Sequence, residues 1–174
     1  MKKLLVVVDM QKDFVDGALG SAEAVECVPH VCNKIRAFDG KIIVTFDTHS
    51  EDYMNTREGK MLPVPHCIKG EAGHMLNDQV KAALDGKDYI GVEKPTFGAV
   101  NLPEIVKEYM GTDDFEIELC GICTDICVVS NALILKAAFP EVEISVDGKC
   151  CAGVTPEKHN AALETMRSCQ INVK

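Results

Sequence analysis

Three side chains in this sequence have the types and settings for nucleophilic catalysis: Cys127, Asp9 and Lys94. The stretch from Leu119 to Ser130, Leu-Cys-Gly-Ile-Cys-Thr-Asp-Ile-Cys-Val-Val-Ser, carries the first. An apolar run from Phe115 to Cys120 reads as a strand, Gly121 interrupts it, and a helical pattern follows. Cys127 lies about one turn into that helix, where the positive end of the helix dipole lowers a thiol pKa, so a thiolate is expected there. Asp9 ends the first apolar run, Leu4–Val8, and is placed to take a thiol proton and later to activate water. Lys94 closes another apolar run, just before Pro95, and its ammonium would hold sulfur and carboxylate in register. Each residue also has a plain explanation: a cysteine packed against a sheet, an aspartate capping a turn (as Asp13 and Asp16 read), a solvated lysine. The combination of all three makes the chemical reading the better one.

A second constellation is Asp47-x-His49 with His66. One carboxylate and two imidazoles on the long polar stretch from Asp47 to Gly73 suit a borderline divalent ion, zinc first, with iron or manganese as alternatives. The plain reading is histidines on a polar surface loop, but connections this long are usually functional. Cys120-Gly-Ile-Cys123 is a CxxC at the start of a helix and raises a dithiol oxidoreductase as a competing reading. A structural zinc site drawing on Cys67, Cys120, Cys123 or the Cys150–Cys151 pair lacks a paired CxxC spacing. Both of these leave Asp9 and Lys94 unexplained.

The elements that must position these residues alternate along the chain. Strands are expected at Leu4–Val8, Lys41–Phe46, Tyr89–Val92, Phe115–Cys120, Val142–Val146 and Gln170–Val173. Helical spacing appears in Val25, Val28, Val31, Cys32 and Ile35, then over His74–Leu84, Leu102–Met110, Cys123–Ala138 and Pro156–Ser168. Pro103 opens one of these helices at its first turn, and Thr155 caps the last. Six strands with intervening helices predict an α/β fold, a three-layer α/β/α sandwich around a mostly parallel, Rossmann-like six-stranded sheet, in a single domain over 1–174. In such sheets ligands gather at the carboxyl ends of the strands. Asp9, Asp47, Glu93 with Lys94, and the Cys120–Cys127 segment all follow strands, so they should converge on one rim.

The bulk numbers are compatible with this. The chain has 174 residues, 47% apolar and 26% charged, enough for one sizeable core. A formal net charge of −9 argues against nucleic acid or an anionic membrane surface as partner. No apolar run approaches the roughly 20 residues of a membrane helix. Met1-Lys-Lys-Leu-Leu-Val-Val-Val-Asp9 reads as a first strand and not as an export signal, because Asp9 cuts the apolar run short. Nine cysteines, several inside apolar patterns, fit reduced thiols and a cytoplasmic location.

Five motifs occur in order: Asp9-Met-Gln-Lys-Asp-Phe14, Asp47-Thr-His49, Pro65-His66-Cys67, Glu93-Lys94-Pro95 and Gly121-Ile-Cys-Thr-Asp-Ile-Cys127. Together they resemble the isochorismatase-like cysteine hydrolases, and within them most closely the nicotinamidases, over nearly the whole chain. The resemblance implies an Asp–Lys–Cys triad of Asp9, Lys94 and Cys127. It implies an oxyanion hole formed by the backbone N–H groups of Cys123 and Cys127, with a cis peptide at Ile122–Cys123. It implies a metal held by Asp47, His49, His66 and a fourth ligand from the same loop. No histidine lies between His49 and His66, so Glu58 is the first candidate for that ligand and Asp52 the second. Phe14 matches an aromatic that packs on the substrate ring. Many nicotinamidases carry a tryptophan shortly before the second metal histidine, whereas here Leu62-Pro63-Val64-Pro65 stands there, with Phe97 as a candidate aromatic wall.

The implied reaction is hydrolysis of a small carboxamide through a thioester on Cys127, with nicotinamide going to nicotinate and ammonia, no organic cofactor, and self-association of the chain. Another small amide or ureido substrate is the alternative within this chemistry. Isochorismate hydrolysis is disfavoured because that branch lacks the nucleophilic cysteine. A catalytically idle, partner-binding member is the non-enzyme alternative, against which the intact triad argues.

Overall fold

The computed structural model describes residues 1–112 and 114–174. The chain runs β1 (Lys2–Val8), α1 (Lys12–Val15), α2 (Ala22–Ala37), β2 (Lys41–Asp47), α3 (Arg57–Met61), α4 (Asp78–Ala83) and β3 (Tyr89–Lys94). It continues through α5 (Leu102–Met110), β4 (Phe115–Ile122), α6 (Val129–Ala138), β5 (Ile144–Ala152), α7 (Pro156–Ser168) and β6 (Asn172–Val173). The strands form one sheet in the order β3-β2-β1-β4-β5-β6, with every neighbouring pair parallel.

A parallel sheet needs cover on both faces, and the continuous apolar run of β1 is built for that. Leu5 and Val7 point into a core shared with α2 and α4, whereas Leu4, Val6 and Val8 point into a second core under α5, α6 and α7. The three-layer α/β/α sandwich is therefore present. Strand order reverses between β1 and β4, so the crevice beyond their carboxyl ends is the natural site for chemistry.

Several local expectations need correction. The pattern over His74–Leu84 resolves into a single turn at Ala72–His74 and a helix starting only at Asp78, where the Asn77 side chain accepts from Gln79 N at 3.0 Å. Val25 lies on the exposed side of α2, with Val28, Val31, Cys32 and Ile35 in the core. The turn-like Asp147-Gly148-Lys149 does not end β5. The strand absorbs it as a bulge, pairing Leu119 with Val146 and then Gly121 with Cys151. Gln170 has a φ of 63°, which keeps it out of β6. The Cys123–Ala138 helix begins as a widened turn over Thr124–Val128, closed by Val128 N to Cys123 O at 3.0 Å, and becomes regular only from Val129.

Gly121 is required by the close approach of β4 to β1. Its φ is 121°, and a Cβ there would lie 2.1 Å from the Val8 carbonyl oxygen. Gly121→Ala should cost about 3 kcal/mol or more, from backbone conformation and overlap together. Urea denaturation of the variant beside the parent would measure it, and a loss below 1 kcal/mol would contradict it.

Lys34 on α2 contacts Glu118 and lies 2.8 Å from Asp147, and Lys174 also contacts Glu118. Burial pushes the Glu118 carboxyl up, but hydrogen bonds from Lys174 and Lys34 outweigh it and hold the group below its usual range. Asp147 is likewise raised by burial and lowered further by Lys34. Carboxyls depressed on folding stabilise the protein above their unfolded pKa values, near 4. That contribution is lost as pH falls through the folded values. Glu118→Gln should therefore lower stability at pH 7 by about 1 kcal/mol, allowing for solvent screening, and should flatten the decline of stability below pH 4. Melting temperatures across pH 2.5–7 would check this.

Candidate active site

Asp9, Lys94 and Cys127 come from the ends of β1 and β3 and from the widened turn after β4, and they meet at the sheet's switch point. Lys94 Nζ lies 2.6 Å from Asp9 Oδ2 and 3.5 Å from Cys127 Sγ. It also approaches Asp47 Oδ1 at 3.2 Å and donates to the Thr96 carbonyl at 3.0 Å. Asp9 Oδ1 accepts from the Thr45 hydroxyl at 2.6 Å. Asp9 itself has a φ of 49°, a left-handed conformation that aspartate tolerates better than most residues, and all three side chains are buried.

The expected Cys127 thiolate does not hold. Burial pushes the Cys127 thiol well above its ordinary pKa, the Asp9 charge adds to this, and Lys94 only partly opposes it. The regular helix starts two residues later, so its dipole does not offset desolvation at the sulfur. Burial also raises Asp9, against the pull of Lys94, whose ammonium bridges that carboxylate and the sulfur. The arrangement is a thiol and a carboxyl group, both pushed up by burial, with a fixed cation touching both.

Cys123 and Cys127 line the same cavity, and the Ile122–Cys123 peptide is cis, as the resemblance implied. Asn131 holds the turn, donating to the Cys127 carbonyl at 2.8 Å and accepting from Ala99 N at 2.9 Å.

Asp47, His49, Glu58 and His66 each offer one ligand atom, and all four atoms lie within 4.8 Å of one another. His49 Nε2 is 2.8 Å from Asp47 Oδ2, His66 Nε2 is 3.5 Å from the same oxygen, and both imidazoles stand 3.7 Å from Glu58 Oε1. Donors about 2.0–2.2 Å from a common zinc would be separated by distances of this order, and two imidazoles with two carboxylates are a fitting donor set. His66 Nδ1 lies 2.8 Å from the Val64 carbonyl, which can only accept, so that nitrogen carries the proton and Nε2 offers its lone pair to the centre. Burial pushes Asp47 up, but His49, His66 and Lys94 outweigh it and keep the group well below the usual carboxylate range. Glu58 takes the fourth position on the helix α3, and Asp52 is exposed and outside the set.

The loop acquires this geometry from residues the sequence reading did not single out. Tyr53 is buried edge-on against His49 and His66, with centroids at 4.8 and 5.0 Å, and its hydroxyl donates to the Leu62 carbonyl at 2.8 Å. Gln11 clamps Asp47 at both ends, accepting from its N–H and donating to its carbonyl, each at 2.8 Å. Gly59 lets α3 pack close, since a Cβ there would fall 2.1 Å from the Tyr53 carbonyl oxygen. Asp13, read as a cap, accepts from Cys67 N at 2.8 Å and ties α1 to the His66 segment. An aromatic inside a polar loop, and a glutamine two residues after Asp9, were the available signals.

Between the sulfur and the ligand set lies a cavity of about 230 Å³. Phe14, whose ring centroid is 5.4 Å from that of His66, forms one wall, with Leu19, Leu62, Phe97, Ile126 and Val154 around it. Phe97 is thus a wall residue and not core. The CxxC pair is not joined: both cysteines are free, Cys120 is wholly buried in the α2-side core, and burial pushes its thiol well above the ordinary value. All nine cysteines are free thiols, and Asp47, His49, Glu58 and His66 are the only metal-type cluster among the described residues.

Such a fold with such a rim defines a class. The sequence matches the isochorismatase domain over residues 3–173, and the chain belongs to that family. Among its relatives is the nicotinamidase of Schizosaccharomyces pombe, 26% identical over 206 residues that cover 97% of this chain and 91% of the relative. The crystal structure of nicotinamidase/pyrazinamidase PncA from Bacillus subtilis superposes with a TM-score of 0.85 at 26% identity, covering 99% of each chain. That of the pyrazinamidase of Pyrococcus horikoshii in complex with zinc superposes with a TM-score of 0.82 at 27% identity, covering 100% of this chain and 99% of the other. No helix among the described residues is long and apolar enough to cross a membrane.

Proposed function

We propose that this protein is a cysteine amidohydrolase that cleaves a small, neutral, flat carboxamide, with nicotinamide as the leading substrate. The observation that carries the reading is the buried Lys94 ammonium, 2.6 Å from Asp9 and 3.5 Å from the Sγ of Cys127, which itself lines the cavity.

Asp9 takes the Cys127 proton as the sulfur attacks the amide carbon, and Lys94 holds the resulting charges in register. The N–H groups of Cys123 and Cys127 receive the oxyanion. Asp9 returns the proton to the leaving nitrogen, ammonia departs, and a thioester remains on Cys127. Water, activated by the same carboxylate, then releases the acid. A divalent ion held by Asp47, His49, Glu58 and His66 would supply a Lewis-acid contact for a ring nitrogen.

The walls favour such a ring over a ureido acid. No lysine or arginine lines the cavity to receive a second carboxylate, and Lys94 is committed to Asp9, Asp47 and Cys127.

A screen of carboxamides for ammonia release, with nicotinamide and pyrazinamide included, tests the reading. Release from nicotinamide should fall on chelation and return with added zinc. Glu58→Ala should weaken zinc binding beyond the roughly 10–100-fold that loss of an outer-shell partner costs, as read by competition with a chromogenic chelator. Absence of ammonia from every carboxamide tested, zinc-loaded, would remove the proposal.

A further inference from the structure

The cavity has two unlike ends, and the outer one does not belong to the reaction described above. Its inner end holds Cys123, Cys127 and three of the four ligand residues, Asp47, Glu58 and His66. Its outer end is a ring of apolar side chains that remain in solvent: Leu62 at 38% exposure, Phe97 at 44% and Val154 at 44%. Their sequence neighbourhoods continue the character, with Met61 at 73% and Val100 at 83%. Three apolar side chains from three separate segments, the turn after α3, the loop after β3 and the loop before α7, thus surround one opening.

A volume of about 230 Å³ lies below the roughly 300–1,000 Å³ of a pocket that encloses a drug-sized ligand. A ligand approaching that size is not enclosed, and the part of it that extends beyond the inner end meets the mouth. There it meets hydrocarbon, because the lining holds no lysine or arginine, and its carboxylates, Asp47 and Glu58, belong to the inner ligand set. Exposed apolar surface around a cleft marks a place where apolar ligand surface gains by leaving water.

On the amidase reading just given, we propose that the mouth formed by Leu62, Phe97 and Val154 is a second recognition element, selecting heteroaryl carboxamides that carry a neutral apolar extension on the ring. Alkyl-substituted or ring-fused pyridine carboxamides are the substrate class it fits, and ring substituents with a carboxylate are the class it rejects. Phe97 offers a face for a fused ring to stack on, and Leu62 and Val154 close around its edge.

The test compares kcat/KM of the zinc-loaded parent on nicotinamide, on nicotinamides methylated at each free ring carbon, on quinoline-3-carboxamide and on a carboxylate-substituted nicotinamide. At least one apolar extension should raise kcat/KM about tenfold over nicotinamide, chiefly through KM, and the carboxylate should lower it. Leu62→Lys and Val154→Lys should each reduce the ratio of apolar-extended to plain substrate about tenfold and raise the ratio for the carboxylate. Binding of the same amides to Cys127→Ala, followed by calorimetry, reads the preference without turnover. Efficient nicotinamide hydrolysis with every apolar extension slower, or with both ratios unmoved by the lysine variants, would overturn the inference and leave the amidase reading standing. Loss of ammonia from all amides would instead remove the amidase reading and this inference with it.

Discussion

Cys127→Ala should release no measurable ammonia from any carboxamide that the parent cleaves, a loss of at least about 10⁴-fold in kcat and by analogy with other nucleophile deletions nearer 10⁶. The fold should persist, because the sulfur fills a spot that a methyl group partly occupies and Asn131 holds the turn through backbone atoms. The cost in stability should stay within about 2 kcal/mol, the small-cavity range. A mass spectrum of the parent quenched during turnover should show an acyl adduct on the peptide containing Cys127 and none in the variant. Residual turnover within tenfold of the parent would eliminate the sulfur as nucleophile and leave hydrolysis by a directly activated water to be explained.

Lys94→Met should damage both stability and turnover, and the two losses have one cause. Lys94 is wholly buried, and its ammonium faces two carboxylates, Asp9 and Asp47. Removing it leaves the Asp9 charge buried and unpaired, which costs about 3–5 kcal/mol. Asp9 avoids part of that cost by holding a proton, since burial already pushes its pKa up and Lys94 is the largest opposing influence. A protonated Asp9 cannot take the thiol proton, so kcat should fall at least about 10³-fold in the fraction that remains folded, within the range of a lost general base. Thermal unfolding beside turnover normalised to folded protein separates the two. Unchanged turnover in folded Lys94→Met would show that the cation has no part in the chemistry.

Much of this was legible before any coordinates. The runs before Asp9 and Asp47 are short, apolar and β-branched, those ending in Lys94 and Cys120 keep apolar residues at alternate positions, and parallel topology carries whatever follows such runs to one rim. The donors Asp47, His49 and His66 were visible because their residue types have few other uses in a polar loop. Spacing favoured Glu58 over Asp52, but only the close packing of α3 on Tyr53, allowed by Gly59, turns its carboxylate inward. The protonation of Cys127 was not legible, because it depends on desolvation by groups distant in sequence. The same holds for Gln11 and Thr45, whose hydrogen bonds to Asp47 and Asp9 bridge 36 positions. The passage of β5 through Asp147-Gly148 was hidden by turn-like composition, and the partner that offsets it, Lys34, is on another element.

Asp47 turns one oxygen to Lys94 at 3.2 Å and the other to His49 at 2.8 Å. A single carboxylate is therefore the hinge pin between two halves of the rim. Any replacement at this position loosens both halves at once, so its phenotype cannot be assigned to either. Dissection of the rim has to proceed from its outer members, Glu58 on one side and Asp9 on the other. The shared oxygen pair also means that a cation seated among the imidazoles changes the electric field felt by the lysine, so that charge arriving on one side is registered at the sulfur without any movement of the chain.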